Sequence, residues 1–293
     1  MRPPTPDDVG DALAVAAAKD VEEFGAPNVD ERVLLANWRS PSTALARDVW
    51  VAFAEGRPAG YAHVLLYGDS AEIDDNSGVH PAFRGRGIGS HLLELAELRA
   101  RKSGARSISG TAAAVNPAGM ALFEGRGYRL AGGMLRMEIG LLDEPPAADW
   151  PTRVVCRALR DGDERPVHAL IQDAFAWLAN YQETPFERWI EARRERARSE
   201  RATWLVADSG DQVAGALLAF DHWILELAVA PSWRRRGIGL ALLRTSFGEL
   251  RRRGFKRAGL EVEAENPTGA VQLYERAGMH ETRHYNIYER ALA

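Results

Sequence analysis

The sequence predicts a mixed α/β (α+β) protein made of two repeated domains, each with a largely antiparallel sheet flanked by helices. Three observations support this prediction. A glycine- and arginine-rich phrase occurs twice, as VHPAFRGRGIGSHLL from residue 79 and VAPSWRRRGIGLALL from residue 229. A second pair of similar phrases, NPAGMALFEGRGY and NPTGAVQLYERAGM, begins at Asn116 and Asn266. Around both pairs, apolar runs of strand length alternate with runs of helical periodicity.

The two copies align closely. Arg84 aligns with Arg234, an offset of 150 residues (234 − 84), and seven of the eleven residues of 79–89 are identical in the second copy. One residue is inserted later in the second copy, so that Phe123 aligns with Tyr274. Two matched phrases in the same order at nearly the same spacing indicate an internal duplication.

A short linker separates the copies. Residues 141–151, LLDEPPAADWP, have the prolines and small residues that are typical of a loop. The sequence therefore predicts two domains, 1–142 and 152–293, in keeping with about 150 residues per domain. The first copy has almost no residues to match TRVVC at 152–156, so we expect its first strand to be short or absent. The single cysteine, Cys156, lies in that stretch, and we expect it to be a buried core thiol.

Each copy predicts the same order of elements. Apolar residues at helical spacing give a first helix, and two apolar runs around a glycine-containing turn give a strand pair. A third strand leads into a loop that we call the RG loop, residues 84–90 and 234–240. A helix, a strand, a second helix behind Asn-Pro and a closing strand pair follow. The first helix is predicted at 7–25 in the first copy and at 163–179 in the second, and the helix after the RG loop begins near Ile88 and Ile238. The matching strand regions, first copy before second, are 49–67 and 203–220, 71–79 and 223–229, 107–115 and 257–265, and about 129–139 and 280–290.

The RG loop has the composition of an anion-binding site. It joins a strand to a helix, so its amides add to the free N–H groups of the first helical turn, at the positive end of the helix dipole. Gly87, Gly89, Gly237 and Gly239 let an anion approach the backbone without a Cβ in the way, and the neighbouring arginines add positive charge. A phosphate or diphosphate is the expected ligand.

Three other interpretations of the RG loop fit less well. A dinucleotide-binding loop needs G-x-G-x-x-G near the start of a βαβ unit, whereas three predicted strands precede this loop. A Walker loop ends in Gly-Lys-Ser/Thr, which is missing here. A purely structural glycine turn is the remaining alternative, but such a turn has no reason to repeat its arginines in the second copy.

These motifs together resemble those of a known family. The pattern V-x-P-x-x-R-x-x-G-x-G, an asparagine 27 residues after its last glycine, and L-Y-E-x-x-G-M are similar to the motifs of the GNAT superfamily of acyl-CoA-dependent N-acyltransferases. The resemblance covers both copies and so nearly the whole chain. The tandem arrangement resembles the double-domain GNAT proteins of the mycothiol synthase type.

The resemblance implies a fold of two tandem GNAT domains, a transferase activity and acetyl-CoA as the acyl donor. It implies that the amides of the RG loop bind the coenzyme diphosphate, and that the strand before the loop, from Leu227 or Ser77 onward, pairs with the pantetheine arm. It also implies that the tyrosine of L-Y-E lies beside the coenzyme sulfur. The predicted coenzyme-binding residues are Leu227, Ala228, Val229, Arg234, Arg235, Arg236, Gly237, Ile238, Gly239, Leu240 and Asn266 in the second copy, and Val79, Arg84, Gly85, Arg86, Gly87, Ile88, Gly89 and Ser90 in the first.

Tyr274 and Phe123 distinguish the two copies chemically. Acyl transfer to an amine releases a thiolate with a pKa of about 8.5, and a tyrosine with a pKa near 10 can donate a hydrogen bond to it. Phe123 has no proton to donate. We therefore predict catalysis in the second domain, by direct attack with Tyr274 as general acid. The alternative is that Tyr274 only packs in the core of its helix.

The sequence defines the general base less well. In relatives with a base on the strand before the loop, it lies four or six residues before the valine of V-x-P, and these positions are Leu225 and Trp223 here. Glu226 is our first candidate, because a β-bulge could turn it toward the site. His222 or a chain of waters is the alternative. In the first copy Asp75 occupies one of the expected positions, so each copy lacks one part of the pair.

We expect the acceptor to be the primary amine of a small molecule. A protein or peptide N-acetyltransferase and a catalytically silent acyl-CoA-binding regulatory module are the alternatives. Aromatic residues of the second copy could line the acceptor pocket, although an aromatic stripe at helical spacing is more often core. The candidates are Phe175, Trp177, Tyr181, Trp189 and Tyr285.

Composition and charge argue against several other classes of protein. The chain is 46% hydrophobic and 27% charged, as globular proteins are, and its net charge of −4 without a basic block argues against a nucleic-acid partner. No apolar run approaches the roughly 20 residues that cross a bilayer, and the N-terminus lacks a signal-peptide pattern. We therefore expect a cytoplasmic protein without a membrane partner. A single cysteine argues against a thiolate metal site, and no metal is predicted.

Overall fold

The computed structural model describes residues 4–178 and 181–292, and it divides the chain into two compact units. Unit 1 comprises the chain up to Met134 together with the segment that starts at Arg283, and unit 2 runs from Leu135 to Thr282. The predicted boundaries at 142 and 152 follow the linker, whereas these units divide inside two long strands. Each unit has a mostly antiparallel sheet flanked by helices, so the predicted fold class is confirmed.

The elements of unit 1 follow the predicted order, with two additional short helices before the first strand. Its helices are α1 (Val9–Phe24), α2 (Glu31–Arg39), α3 (Leu45–Asp48), α4 (Ile88–Ser103) and α5 (Pro117–Gly125). Its strands are β1 (Val49–Ala54), β2 (Arg57–Tyr67), β3 (Ser70–Ile73), β4 (Gly78–Val79) and β5 (Ser107–Ala113), and β6 (Arg129–Gly140) begins in it.

Unit 2 repeats this order after its own first strand. Its helices are α6 (Glu164–Phe175), α7 (Phe186–Ser199), α8 (Ile238–Arg252) and α9 (Ala270–Arg276). Its strands are β7 (Val155–Ala158), β8 (Ala202–Asp208), β9 (Val213–Phe220), β10 (Trp223–Val229) and β11 (Arg257–Glu263), and β12 (His280–Ala291) begins in it.

The closing strands explain why the units do not coincide with the two copies. In unit 1 the strand order is β1-β2-β3-β5-β12, and β12 pairs antiparallel with β5 from Tyr285 opposite Ala113 to Ala291 opposite Ser107. In unit 2 the order is β7-β8-β9-β10-β11-β6. Each unit is therefore closed by a strand from the other copy of the repeat.

Each sheet is covered by helices on both faces. In unit 1, α1 and α2 pack on a face that includes Val51 and Tyr61, and α4 and α5 pack on the opposite face, which includes Val64 and Ile108. In unit 2 the same division holds for α6 and α7 against α8 and α9. Both faces of each sheet are therefore buried, which accounts for the nearly continuous apolar runs in the central strands.

A gap opens between two neighbouring strands of each sheet. In unit 2 the parallel strands β10 and β11 pair at Trp223 opposite Gly259 and then diverge. In unit 1 the corresponding pairing of β3 with β5 covers three residues, Ser70 to Glu72. The predicted strand 71–79 is accordingly interrupted after Ile73 and resumes as β4. The divergence leaves one backbone edge of β10 free beside the RG loop.

Two further expectations concern the start of the chain and the cysteine. Pro4 and Thr5 lead into a 3-10 turn, Pro6–Asp8, rather than into a strand, while residues 1–3 lie outside the described part. Cys156 is partly buried against the unit 2 core, and burial raises the pKa of its thiol to about 11. In the described residues no helix is both long and apolar enough to cross a membrane.

Candidate active site

Each RG loop contains a glycine whose backbone conformation only a residue without a Cβ adopts easily. Gly87 and Gly237 are the N-caps of α4 and α8, with φ of +78° and +86°, so both helices begin at the predicted isoleucines. A Cβ added at either glycine would meet no atom within 4 Å. The glycines are therefore needed for the left-handed backbone, and the space in front of them is open.

The backbone amides of both RG loops are available to a ligand. Among the described residues, no amide from Gly85 to Ser90 or from Arg235 to Leu240 donates a hydrogen bond. These amides lie just before and within the first turns of α4 and α8, where the helix dipole favours an anion. Such a row of unpaired donors fits the diphosphate of an acyl coenzyme.

Acidic residues on the first helix of each unit hold the first arginine of the RG loop. Arg84 contacts Glu22 and donates to Glu23 at 3.2 Å, and Arg234 lies 3.9 Å from Asp173. Glu23 and Asp173 are themselves 150 residues apart (173 − 23), the offset of the repeat. The repeat therefore preserved a contact that ties α1 or α6 to the loop.

One loop residue has an unfavourable backbone conformation. Arg235 has φ of +62°, in the region that favours glycine, and it stands where unit 1 has Gly85, with φ of +74°. A left-handed non-glycine residue costs on the order of 1–3 kcal/mol and persists where the surroundings enforce it. The loop shape is thus the same in both units, although the sequence of the second loop does not favour it.

The strand before the loop differs between the units. In unit 2, Leu227 and Val229 pair on one side with β9, while the other side faces the gap toward β11. In unit 1, β4 pairs with β2, and the carbonyl oxygen of Ser77 accepts a hydrogen bond from Lys19 Nζ at 3.1 Å. The backbone edge predicted to hold the pantetheine arm is thus more open in unit 2 than at Ser77.

Unit 1 contains a cavity of about 550 Å³ that starts at its RG loop. It runs from the loop into the gap between β3 and β5. Its polar wall is formed by Lys19, Glu23, Tyr61, Asp74, Ser77, Thr111, Asn116 and Tyr285. Burial raises the pKa of Glu23, which accepts a hydrogen bond from Asn116 at 2.6 Å. The dimensions suit a pantetheine arm and its acyl group.

Phe123 fills the position in unit 1 that Tyr274 has in unit 2. Its ring stacks on Tyr288 at 5.3 Å, and its tip lies 2.8 Å from where a Cβ of Gly110 would be. Phe123 is thus a packed core residue of the cavity wall that carries no proton donor.

Tyr274 lies on α9 and packs partly buried against the unit 2 core. Burial raises the pKa of its hydroxyl to about 12. Within the described residues, its hydroxyl has no hydrogen-bond partner. The side chain is therefore a neutral donor whose proton is available to a ligand.

Glu226 follows the expected β-bulge, but its carboxylate is held in a buried ion pair. The pairing of β10 with β9 shifts register between Ile224 and Glu226. The Glu226 carboxylate is buried and accepts hydrogen bonds from both Nε, at 3.1 Å, and Nη2 of Arg193, and from Trp189 Nε1 at 3.4 Å. His222, the alternative base, lies beside Phe255 at the end of β10 that is remote from the RG loop.

The aromatic candidates for the acceptor pocket lie in different surroundings. Trp189 is fully buried in the core between α7 and the sheet, and Phe175 packs against the same core. Tyr181 donates to Gln172. The expectation for Tyr285 was wrong: this residue of β12 belongs to unit 1 and lines its cavity, because β12 pairs with β5.

Glu23, Asp173 and Lys19 were not among the predicted site residues. The first two could have been found, since they share the 150-residue offset of the RG loops and both are acidic. Nothing in the sequence signals Lys19, which is the one basic residue of a helix with several acidic residues and aligns with Ala169.

Comparison with known proteins supports the geometric assignment. Residues 166–279 match the model of the acetyltransferase (GNAT) family, and residues 46–130 match that of a GNAT acetyltransferase domain. A mycothiol acetyltransferase of Salinispora arenicola is 32% identical over 98% of this chain and 94% of its own, and one of Thermobispora bispora is 30% identical over 94% and 93%.

Solved structures show the same tandem fold. A GCN5-related N-acetyltransferase from Sphaerobacter thermophilus superposes with a TM-score of 0.87 at 29% identity, over 99% of this chain and 95% of that one. A tandem GNAT protein from the clavulanic acid biosynthesis pathway superposes with a TM-score of 0.76 at 20% identity, over 100% and 97%. The chain therefore belongs to the GNAT acetyltransferase family, as a tandem-domain N-acetyltransferase whose acyl donor is acetyl-CoA.

Proposed function

We propose that the protein transfers the acetyl group of acetyl-CoA to a primary amine of a small molecule, and that unit 2 carries the chemistry. The observation that supports this most directly is the difference between Tyr274 and Phe123 at the same place in the repeat. The relatives named mycothiol acetyltransferase favour a small-molecule acceptor over a protein.

In the proposed reaction, different residues of unit 2 bind the coenzyme and assist the departure of its sulfur. Bound acetyl-CoA supplies an activated thioester. The amides from Arg235 to Leu240 bind the diphosphate, and the free edge of β10 from Leu227 to Val229 aligns the pantetheine arm. Tyr274 stays protonated and donates a hydrogen bond as negative charge develops on the departing sulfur, which is the kind of assistance that contributes about 10²- to 10⁴-fold.

The amine must lose a proton before it attacks, since an aliphatic amine with a pKa near 10 is mostly protonated at neutral pH. Glu226 is our candidate for the base. The Arg193 guanidinium donates hydrogen bonds to both of its oxygens, so neither oxygen is free to contact the amine. Glu226 can therefore act only when the acceptor amine displaces Arg193 from one oxygen. The alternative is a chain of waters.

A loop substitution tests the assignment to unit 2. We expect Gly237→Asp to raise the KM for acetyl-CoA at least about tenfold, because it places a carboxylate where the diphosphate binds. Aspartate and asparagine have nearly the same shape and both tolerate a left-handed φ, so Gly237→Asn is the uncharged control. Turnover of a library of small amines is followed with a thiol-detecting reagent.

The same substitution in the first loop, Gly87→Asp, should lower amine turnover less than Gly237→Asp. An equal or greater loss with Gly87→Asp would place catalysis in unit 1 and contradict the proposal. Peptide acceptors are assayed beside the amines, and turnover of peptides alone would identify a protein acetyltransferase.

A further inference from the structure

Lys19 is the least expected residue of unit 1. The sequence has three lysines, and Lys102 and Lys256 are exposed, whereas Lys19 is 9% exposed on α1. Its ammonium donates hydrogen bonds to the carbonyl oxygens of Asp75 and Ser77, at 2.5 and 3.1 Å. A lysine is seldom buried to this degree unless its ammonium is paired, as it is here.

The Lys19 side chain reaches the cavity of unit 1 over a glycine. A Cβ on Gly78 would lie 2.8 Å from Lys19 Cδ, so that any other residue at 78 would push the chain aside. Lys19 is among the residues that line the 550 Å³ cavity. Two of its three N–H donors are used by the wall, and the nitrogen is thus held at a fixed place beside the empty volume.

The place of the nitrogen relative to the coenzyme follows from the order of residues along the wall. The diphosphate site is the RG loop at Gly85 to Ser90, and the pantetheine arm runs back along Val79 toward Ser77. The acyl end therefore comes to the side of Ser77 where Lys19 Nζ lies. This step rests on the proposed coenzyme site of unit 1.

We propose that Lys19 is an internal acyl acceptor in unit 1. Its Nζ, after releasing one proton to solvent, attacks the acyl carbon of the thioester. A C–N bond forms, the C–S bond breaks, the second proton passes to the departing thiolate, and the products are N-acetyl-Lys19 and coenzyme A. At the aligned position of unit 2 stands Ala169, which leaves that acceptor side free for an external amine.

Mass spectrometry on the full chain tests the inference. The protein is incubated with acetyl-CoA that carries a trideuterated acetyl group, and the acetylated lysines are located by peptide mapping. We expect label, or an acetyl group already present, on Lys19, in excess of Lys102 and Lys256 by about tenfold or more because of proximity. Lys19→Arg should remove that label, and Lys102→Arg, on the exposed face of α4, should leave it unchanged.

Gly87→Asp should lower the labelling of Lys19 about tenfold, since it weakens coenzyme binding in unit 1. Equal label on all three lysines would show that they are acetylated from solution and would overturn the inference. The absence of label on Lys19 would also overturn it. Calorimetry of the Gly237→Asp chain then identifies which step failed. If acetyl-CoA still binds, Lys19 is a structural clamp; if it does not, the coenzyme site of unit 1 is wrong. Amine turnover reports on the proposed function separately.

Discussion

Removing the hydroxyl of Tyr274 tests the chemistry of the proposed reaction directly. Its pKa of about 12 lies some 3.5 units above that of a thiol, so that complete proton transfer to the leaving thiolate would be uphill by about 5 kcal/mol. In the proposed reaction Tyr274 is therefore a hydrogen-bond donor whose bond strengthens with the charge on sulfur, and it does not have to ionise during turnover.

The expected loss follows from that role. A hydrogen bond to a charged group contributes about 1.5–3 kcal/mol, so Tyr274→Phe should lower kcat about 10- to 150-fold. The KM for acetyl-CoA should change only a few-fold, because the bond matters mainly in the transition state. Since burial raises the pKa of Tyr274 to about 12, its hydroxyl stays protonated on the alkaline side, and kcat should show no loss from its ionisation below about pH 11.

A second tyrosine provides the control. The Tyr288 hydroxyl donates to Glu124 at 3.1 Å in the core of unit 1. Tyr288→Phe should therefore lower stability by about 1 kcal/mol and leave kcat for amine acetylation as it is. Steady-state kinetics and thermal melts on both variants decide the matter. If Tyr274→Phe behaves like Tyr288→Phe while chemistry limits the rate, Tyr274 is a packing residue and has no part in the reaction.

Two further predictions concern buried carboxylates. Arg193→Met should lower the free energy of unfolding by about 3–5 kcal/mol, since it leaves buried Glu226 unpaired, and adding Glu226→Gln should restore part of the lost stability. Urea titrations measure the stability of the single and the double variant, and additive losses would refute the pairing. Burial, with Asp75 and Asp74 nearby, raises the pKa of Glu72 to about 7. Protonation of Glu72 contributes fully to stability below pH 4.5, and this contribution is lost as the pH rises through 7. Glu72→Gln should therefore raise the melting temperature at pH 8 and leave it unchanged at pH 4.

The parts of the site that the sequence predicts are those set by local chemistry. The start of α8 at Ile238 follows from Gly237, whose φ of +86° a β-carbon disfavours, and from the free amides of a helix end. The same local rule in the first copy predicts α4. The contrast between Tyr274 and Phe123 is also visible in the sequence, because the duplication supplies its own alignment.

The parts that the sequence does not predict depend on distant partners. An apolar run specifies a strand, but it does not specify which strand lies beside it, so the pairing of β12 with β5 and the place of Tyr285 were missed. The sequence allows a bulge before Glu226, but it does not show the partner Arg193, which lies on α7, 33 residues earlier in the chain. Contacts of this kind form only when the whole unit folds.

The duplication kept the RG loops alike and left other residues of the two units different. Both units keep the parts proposed to hold an anion: the glycines at φ near +80° and an acidic residue on the first helix that contacts the loop arginine. They differ where a reaction would need specific groups, at Phe123 against Tyr274 and at Lys19 against Ala169. If unit 1 served only as a structural support, its unpaired amides and open loop would have no function. Replacing Gly87 by another residue would then cost only backbone strain. We therefore expect unit 1 to bind acetyl-CoA for a purpose other than the acetylation of free amines.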